Sequence, residues 1–151
     1  MQKLEISNED FHISTDKKLL QIDVIHNFLQ TTYWANNRSK EKTIKAIENS
    51  ICFGVYHHKK QIGFARVISD CSTFAYLADV FIVEEYSGKG LSKWLMETIL
   101  SHPELQDLRR WILATKDAHG LYAQFGFHAF AFPERWMELP EKMRIDLSNQ
   151  I

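Results

Sequence analysis

The spacing of the apolar residues changes at Ile51, and that change constrains the fold more than any other feature of the chain. Before it, Leu19, Ile22, Ile25, Phe28 and Leu29 recur at the three-to-four spacing of a helix with one buried face, and Ile44 and Ile47 repeat it in a second segment. After it, Ile51, Phe53 and Val55 alternate, a returning segment carries Ile62, Phe64 and Val67, and a long third segment runs from about Thr73 to Val83. His58-Lys59-Lys60-Gln61 and Asp70-Cys71-Ser72 are the polar turns between them. Three strands joined by short turns predict an antiparallel meander. A short strand, Phe11-His12-Ile13, precedes the first helix, with Ser14, Thr15 and Asp16 as candidate N-caps. Thr31 to Arg38 break the helical spacing as a connector, and Ser39 can cap the second helix.

Beyond the meander, Leu91, Trp94, Leu95 and Ile99 predict a helix to about Ser101, and the apolar run Trp111-Ile112-Leu113-Ala114 a strand covered on both faces. Asp117 can cap a short helix with Leu121, Tyr122 and Phe125, which Gly126 would end. Residues 127–132 and 135–139 read as two last strands, able to pair across a homodimer, and the chain from Glu141 is a polar tail. The order βααβββαβαββ predicts an α+β fold, a mixed and mostly antiparallel sheet flanked by helices. The 151 residues suit one domain, 1–151, with its core at about 10–139.

Charge and apolar content exclude some partners. A formal net charge of −1 gives no global field for nucleic acid or an anionic membrane. The start, MQKLEISNEDFHIS, lacks a signal-like apolar segment, and no run approaches the ~20 residues of a membrane span, so a cytoplasmic protein is expected. Cys52 and Cys71 match no metal or redox spacing and read as buried free thiols.

Between the long strand and the next helix stands Ser87-Gly88-Lys89-Gly90-Leu91-Ser92. A helix N-terminus offers unpaired N–H groups and partial positive charge, and glycines let the backbone approach an anion closely. Lys89, Lys93 and the hydroxyls of Ser87 and Ser92 are further possible donors. A tight turn without a ligand would use the same glycines. Neither G-x-x-x-x-G-K-[ST] nor G-x-G-x-x-G fits, since Leu91-Ser92 follow Gly90 and Lys93 stands at the third glycine of the latter.

The segment Val80 to Ser92 resembles the acetyl-CoA-binding segment of the GNAT acetyltransferase superfamily: an apolar strand, then [Q/R]-x-x-G-x-[G/A]. Ser87 stands at the usual Gln/Arg and Ser92 at the final small residue. Ala118-His119-Gly120-Leu121-Tyr122-Ala123-Gln124-Phe125-Gly126-Phe127 is similar to the family's A-x-x-L-Y-x-x-x-G-F signature. The resemblance covers roughly residues 10 to 139.

It implies an N-acetyltransferase moving an acetyl group from acetyl-CoA to a primary amine of a small molecule or protein, without a metal. It implies that the backbone of Phe81, Ile82 and Val83 pairs with the pantetheine arm. The next strand would splay away to admit that arm. The pyrophosphate would rest on Ser87, Gly88, Lys89, Gly90, Leu91 and Ser92. Tyr122 takes the position of the acid that protonates the departing thiolate. The alternative on the same fold is a non-catalytic acyl-CoA-binding or sensor module.

For the base, Asp79 is a carboxylate in an apolar strand, where partial burial would raise its pKa; it is equally readable as a structural partner of Arg66. His119 is the other candidate. Tyr33, Trp34 and Arg38 in the connector are candidates for an acceptor wall, the Arg suiting an amine that also carries a carboxylate. His57-His58 reads as a solvated turn, since no carboxylate stands near it at ligand spacing.

Overall fold

The computed structural model describes residues 2–141. A first compact unit, ending at Lys116, holds a six-stranded sheet, and a second begins at Asp117. The strands are β1 (Glu5–Asn8), β2 (Phe11–Ser14), β3 (Ile51–His57), β4 (Lys60–Ser69), β5 (Phe74–Ile82) and β6 (Arg110–Leu113), paired in that order. β1 to β5 run antiparallel, and β6 lies parallel to β5. The expected meander is therefore present, preceded by a hairpin whose first strand, β1, the sequence reading lacks.

Helices α1 (Ile22–Leu29), α2 (Lys40–Glu48) and α3 (Leu91–Leu100) cover the sheet. Ser39 caps α2 as expected, accepting from the Lys42 amide at 3.1 Å. Asp16 instead caps a 3-10 turn, Lys17–Leu19, and α1 starts later without a side-chain cap. Strand alternation divides β3 between two cores. Cys52 packs with Ile25, Leu29, Ala35, Ile47, Phe64 and Phe81 beneath α1 and α2. Phe53 turns the other way and meets the ring of His102, just beyond α3, edge-on. Cys52 is a free buried thiol, its pKa pushed up to about 12 chiefly by burial. Cys71 departs from the expectation of a buried thiol: it sits half-buried in the β4–β5 turn at a left-handed φ of 61°.

The second unit holds α4 (His119–Ala123). Its cap position is Ala118, one residue past the expected Asp117, and Gly126 follows it at φ 93°. The two strands expected at 127–132 and 135–139 are absent among the described residues; a 3-10 turn, Pro133–Arg135, lies between them. Phe127, Phe130 and Phe132 made those stretches read as strands. Instead the Phe130 ring stacks on Trp136 at 4.4 Å, and Arg135 lies 3.9 Å over Phe132. The polar tail beyond Glu141 lies outside the described residues. No helix among them is long and apolar enough to cross a membrane.

Candidate active site

β5 has nine residues and β6, beside it, has four. Its pairing with β6 runs from Phe74 opposite Arg110 to Leu77 opposite Leu113, where β6 ends. From Ala78 to Ile82, β5 has no strand on that side among the described residues, which leaves that edge open where the family resemblance expects the next strand to splay away. The other edge stays paired with β4, and the register there selects which backbone groups face the opening. Phe81 is opposite Phe64 and Ile82 opposite Gly63, and the Val83 amide donates to the Ile62 carbonyl at 2.8 Å. In an antiparallel ladder, bonding residues alternate with residues whose polar groups point outward. Phe81 and Val83 therefore spend their N–H groups on β4, and Ile82 presents its N–H and carbonyl to the open side. Of the three residues expected to pair with a pantetheine arm, Ile82 alone turns its backbone polar groups to the open side.

A bulge lies just upstream. Arg66 pairs with Ala78 and Phe64 with Phe81, so Asp79 and Val80 share the place opposite Ala65. Asp79 takes a left-handed φ of 53°, a conformation that Asp tolerates better than most residues. The bulge keeps the Asp79 side chain buried, where three residues converge on it. Arg38 donates from Nη1 to Oδ2 at 2.7 Å and from Nη2 to Oδ1 at 3.3 Å. Arg66 Nε donates to Oδ2 at 2.9 Å and Trp34 Nε1 to Oδ1 at 3.0 Å. Arg66 also donates to the Ser50 hydroxyl at 3.2 Å.

This arrangement corrects two expectations. Burial is the largest single influence on the Asp79 carboxyl and raises its pKa. The Arg38 hydrogen bond and the charges of Arg66 and Arg38 together outweigh it, so the pKa falls below the ordinary carboxylate value. A carboxylate so held is a poor base, and both its oxygens are occupied. Arg38, in turn, spends its guanidinium fork on Asp79 rather than offering it to a substrate carboxylate. What remains toward solvent is aromatic: Tyr33 and Trp34 are 61% and 45% exposed and meet edge-on with ring centroids 5.2 Å apart. Lys116 Nζ lies 5.5 Å over the Tyr33 ring. Sequence reasoning found Trp34, Arg38 and Asp79 separately. A lone Asp in an apolar strand is a signal for a network, and Arg66 is the partner the sequence offers for it; the approach of Trp34 and Arg38 across the fold is not legible there.

After Val83, a 3-10 turn, Glu84–Tyr86, leads into the glycine loop. Ser87 closes that turn: its amide and hydroxyl both donate to the Glu84 carbonyl, at 3.0 and 2.8 Å. Ser87, expected as a donor to phosphate, thus has both its donors engaged within the turn. Gly88 and Gly90 each have φ 77°, and nothing lies within 4 Å of where a Cβ would stand on either. Gly90 is the N-cap of α3 and offers no side-chain cap, so the first amides of that helix are left to an outside acceptor. Space and donors over residues 88–92 suit a pyrophosphate. Lys89 and Lys93 are exposed, and Leu91 turns its side chain into the core.

In the second unit, Tyr122 on α4 is 8% exposed, and burial pushes its pKa above the ordinary phenol value. Its ring meets Phe127 edge-on at 6.0 Å. His119, the first residue of α4, is exposed.

The chain is similar in sequence and fold to known proteins. Residues 48–129 match the family model described as an acetyltransferase (GNAT) domain. The chain is 32% identical over 138 residues to "Putative acetyltransferase FG08082" of Gibberella zeae, spanning 76% of this chain and 77% of that protein. A crystal structure of a GNAT-family protein from Xanthomonas campestris pv. campestris is 48% identical, with a TM-score of 0.85 over 88% of this chain and 94% of the other. A Clostridium acetobutylicum protein solved with acetyl-CoA shares the fold at 10% identity, with a TM-score of 0.60 over 95% and 97% of the two chains. The chain belongs to the GNAT acetyltransferase family.

Proposed function

We propose that the protein transfers an acetyl group from acetyl-CoA to a primary amine of a small molecule or protein. The observation that carries this reading is the open edge of β5 at Ile82, running directly into the two glycines and uncapped N-terminus of α3. An extended arm with amide groups can add to such an edge as a strand does, while its diphosphate meets the helix amides. In the reaction the amine nitrogen attacks the thioester carbonyl carbon and loses its proton. The C–S bond breaks, and the thiolate leaves as the protonated thiol.

Each residue has a defined part in this reading. The Ile82 backbone holds the arm, and the amides of residues 88–92 hold the diphosphate. Trp34, fixed through its indole N–H to Asp79, and Tyr33 form an aromatic wall for the acceptor. Arg38 and Arg66 hold Asp79, and so position Trp34. Tyr122 supplies the proton to the thiolate; its raised pKa keeps the phenol protonated throughout the neutral range. The proton of the amine goes to water or His119, because Asp79 is held ionised by two arginines.

Acetyl-CoA is expected to raise the melting temperature, by about 2.7 kcal/mol of added stability at a hundred times its Kd. Thiol release should appear with a panel of primary amines. No shift at millimolar acetyl-CoA overturns the reading, and a shift without turnover favours a binding or sensor module instead. Tyr122→Phe should leave the Kd for CoA unchanged and lower kcat by about 100-fold, within the usual range for a lost general acid. Unchanged kcat removes Tyr122 from the mechanism.

A further inference from the structure

Two hairpin loops at one edge of the first unit bring together three metal-ligating side chains that the acetyl-transfer reading does not use. Asn8 pairs with Phe11, so Glu9-Asp10 forms the two-residue loop between β1 and β2. His57 pairs with Lys60, so His58-Lys59 forms the loop between β3 and β4. Phe11 lies opposite His57, which sets the loops side by side, and the His58 amide donates to the Asp10 carbonyl at 3.1 Å. One ligand atom from each of Asp10, His57 and His58 lies within 4.8 Å of the other two. The carboxylate missing from the sequence around His57-His58 arrives from the turn of the sheet's first hairpin.

The two imidazoles are not placed as ordinary neighbours in a strand. Consecutive strand residues point to opposite faces, yet the rings of His57 and His58 are 4.4 Å apart. The cause is a left-handed φ of 56° at His58, the first position of a two-residue loop, where glycine is the favoured occupant. Histidine is among the non-glycine residues that adopt this region most readily, and Glu9 takes the same conformation, φ 55°, at the first position of the neighbouring loop. His57 is oriented from two sides. It stacks on Phe11 at 4.8 Å, and its Nδ1 is hydrogen-bonded with the Tyr86 hydroxyl at 2.9 Å. A ligating histidine is commonly fixed in this way through its second nitrogen, which leaves Nε2 for the ion.

We propose that Asp10, His57 and His58 bind one divalent transition ion of the zinc, cobalt or nickel class. Two imidazoles and a carboxylate suit these ions better than calcium or magnesium, which favour all-oxygen sets. Bond lengths of about 2.0–2.2 Å require the ligand atoms to close up from their present spacing. Asp10 and His58 are exposed and free to rotate inward, while His57 stays fixed. Three protein ligands leave a fourth position for water.

The test is a zinc chloride titration of the tag-free full chain by calorimetry, repeated with cobalt(II) and read by its visible absorption. The expected result is one equivalent bound. Asp10→Asn and His58→Gly should each weaken binding at least tenfold, and Tyr86→Phe by about tenfold through the lost orienting bond. His58→Gly separates binding from folding, because glycine suits that φ. Its metal-free melting temperature should equal or exceed that of the natural chain while its zinc-dependent rise is lost. Absence of a stoichiometric site overturns the proposal, as does binding of equal strength in Asp10→Asn and His58→Gly.

Discussion

Asp79→Asn is expected to lower the stability of the protein by about 3 kcal/mol, and its melting temperature by about 6–12 °C. Asparagine keeps the size of the side chain and tolerates the left-handed backbone of the bulge, so the substitution removes the charge and turns one of the two accepting oxygens into an NH2 group that faces donors. What it leaves behind are two guanidinium groups with no counter-charge, at side-chain exposures of 18% for Arg38 and 11% for Arg66. Losing one partner of a buried pair is more costly than never having had the pair, because the remaining charge stays desolvated. The figure sits at the low end of the usual range because Arg38 keeps some contact with water. Urea unfolding of both proteins at neutral pH measures the difference. The exposed Lys40–Asp23 pair is the control: Lys40→Ala should leave the midpoint unchanged. The pH dependence has a defined sign. The folded-state pKa of Asp79 is depressed, so its contribution is complete above the ordinary carboxylate pKa and is lost as pH falls through the folded value. The two unfolding curves should converge at acid pH. A constant gap down to the acid transition would show that charge is not what the network contributes.

Gly88→Asp is expected to weaken CoA binding by about 100-fold, or roughly 2.7 kcal/mol, while the fold survives. Nothing stands within 4 Å of the added Cβ, so the side chain has room, and the left-handed φ of 77° costs only about 1 kcal/mol for an Asp. The new carboxylate would stand where a diphosphate is proposed to lie, and like charges brought together there repel. Gly88→Asn, equal in shape but neutral, should lose much less affinity. Calorimetric titration with CoA compares the three proteins, with melting curves to show that each is folded. Equal affinity in the natural chain and Gly88→Asp would place the diphosphate elsewhere.

The local signals in the chain were sufficient for its elements where periodicity is unambiguous. Alternation from Ile51 to Val83 predicts β3, β4 and β5, and helical spacing predicts α1, α2 and α3. Signals failed where they were short. β1 (Glu-Ile-Ser-Asn) carries a single apolar residue and is a strand only because β2 pairs with it. The aromatic residues of 127–139 predict strands by composition, yet they meet one another through ring stacking and an Arg contact within the second unit.

The candidate site divides along the same line. Gly88 and Gly90 between an apolar strand and an amphipathic helix are a local pattern, and sequence alone determined that an anion-binding turn can stand there. It also determined that Asp79 is out of place in an apolar strand. Tertiary structure decided what those residues do. The register with β4 turned Ile82 outward and engaged the Phe81 and Val83 amides. Folding brought Arg38 and Arg66 to Asp79 from two other elements and, of the two readings open for it, favours the structural partner over the base. Adjacent hairpin loops carried Asp10 to His57 and His58. Backbone conformation depends on a few neighbouring residues and is written locally. The pKa of a carboxylate and the ligands of an ion depend on groups within a few ångströms in space, and chain separation carries no information about which groups those are.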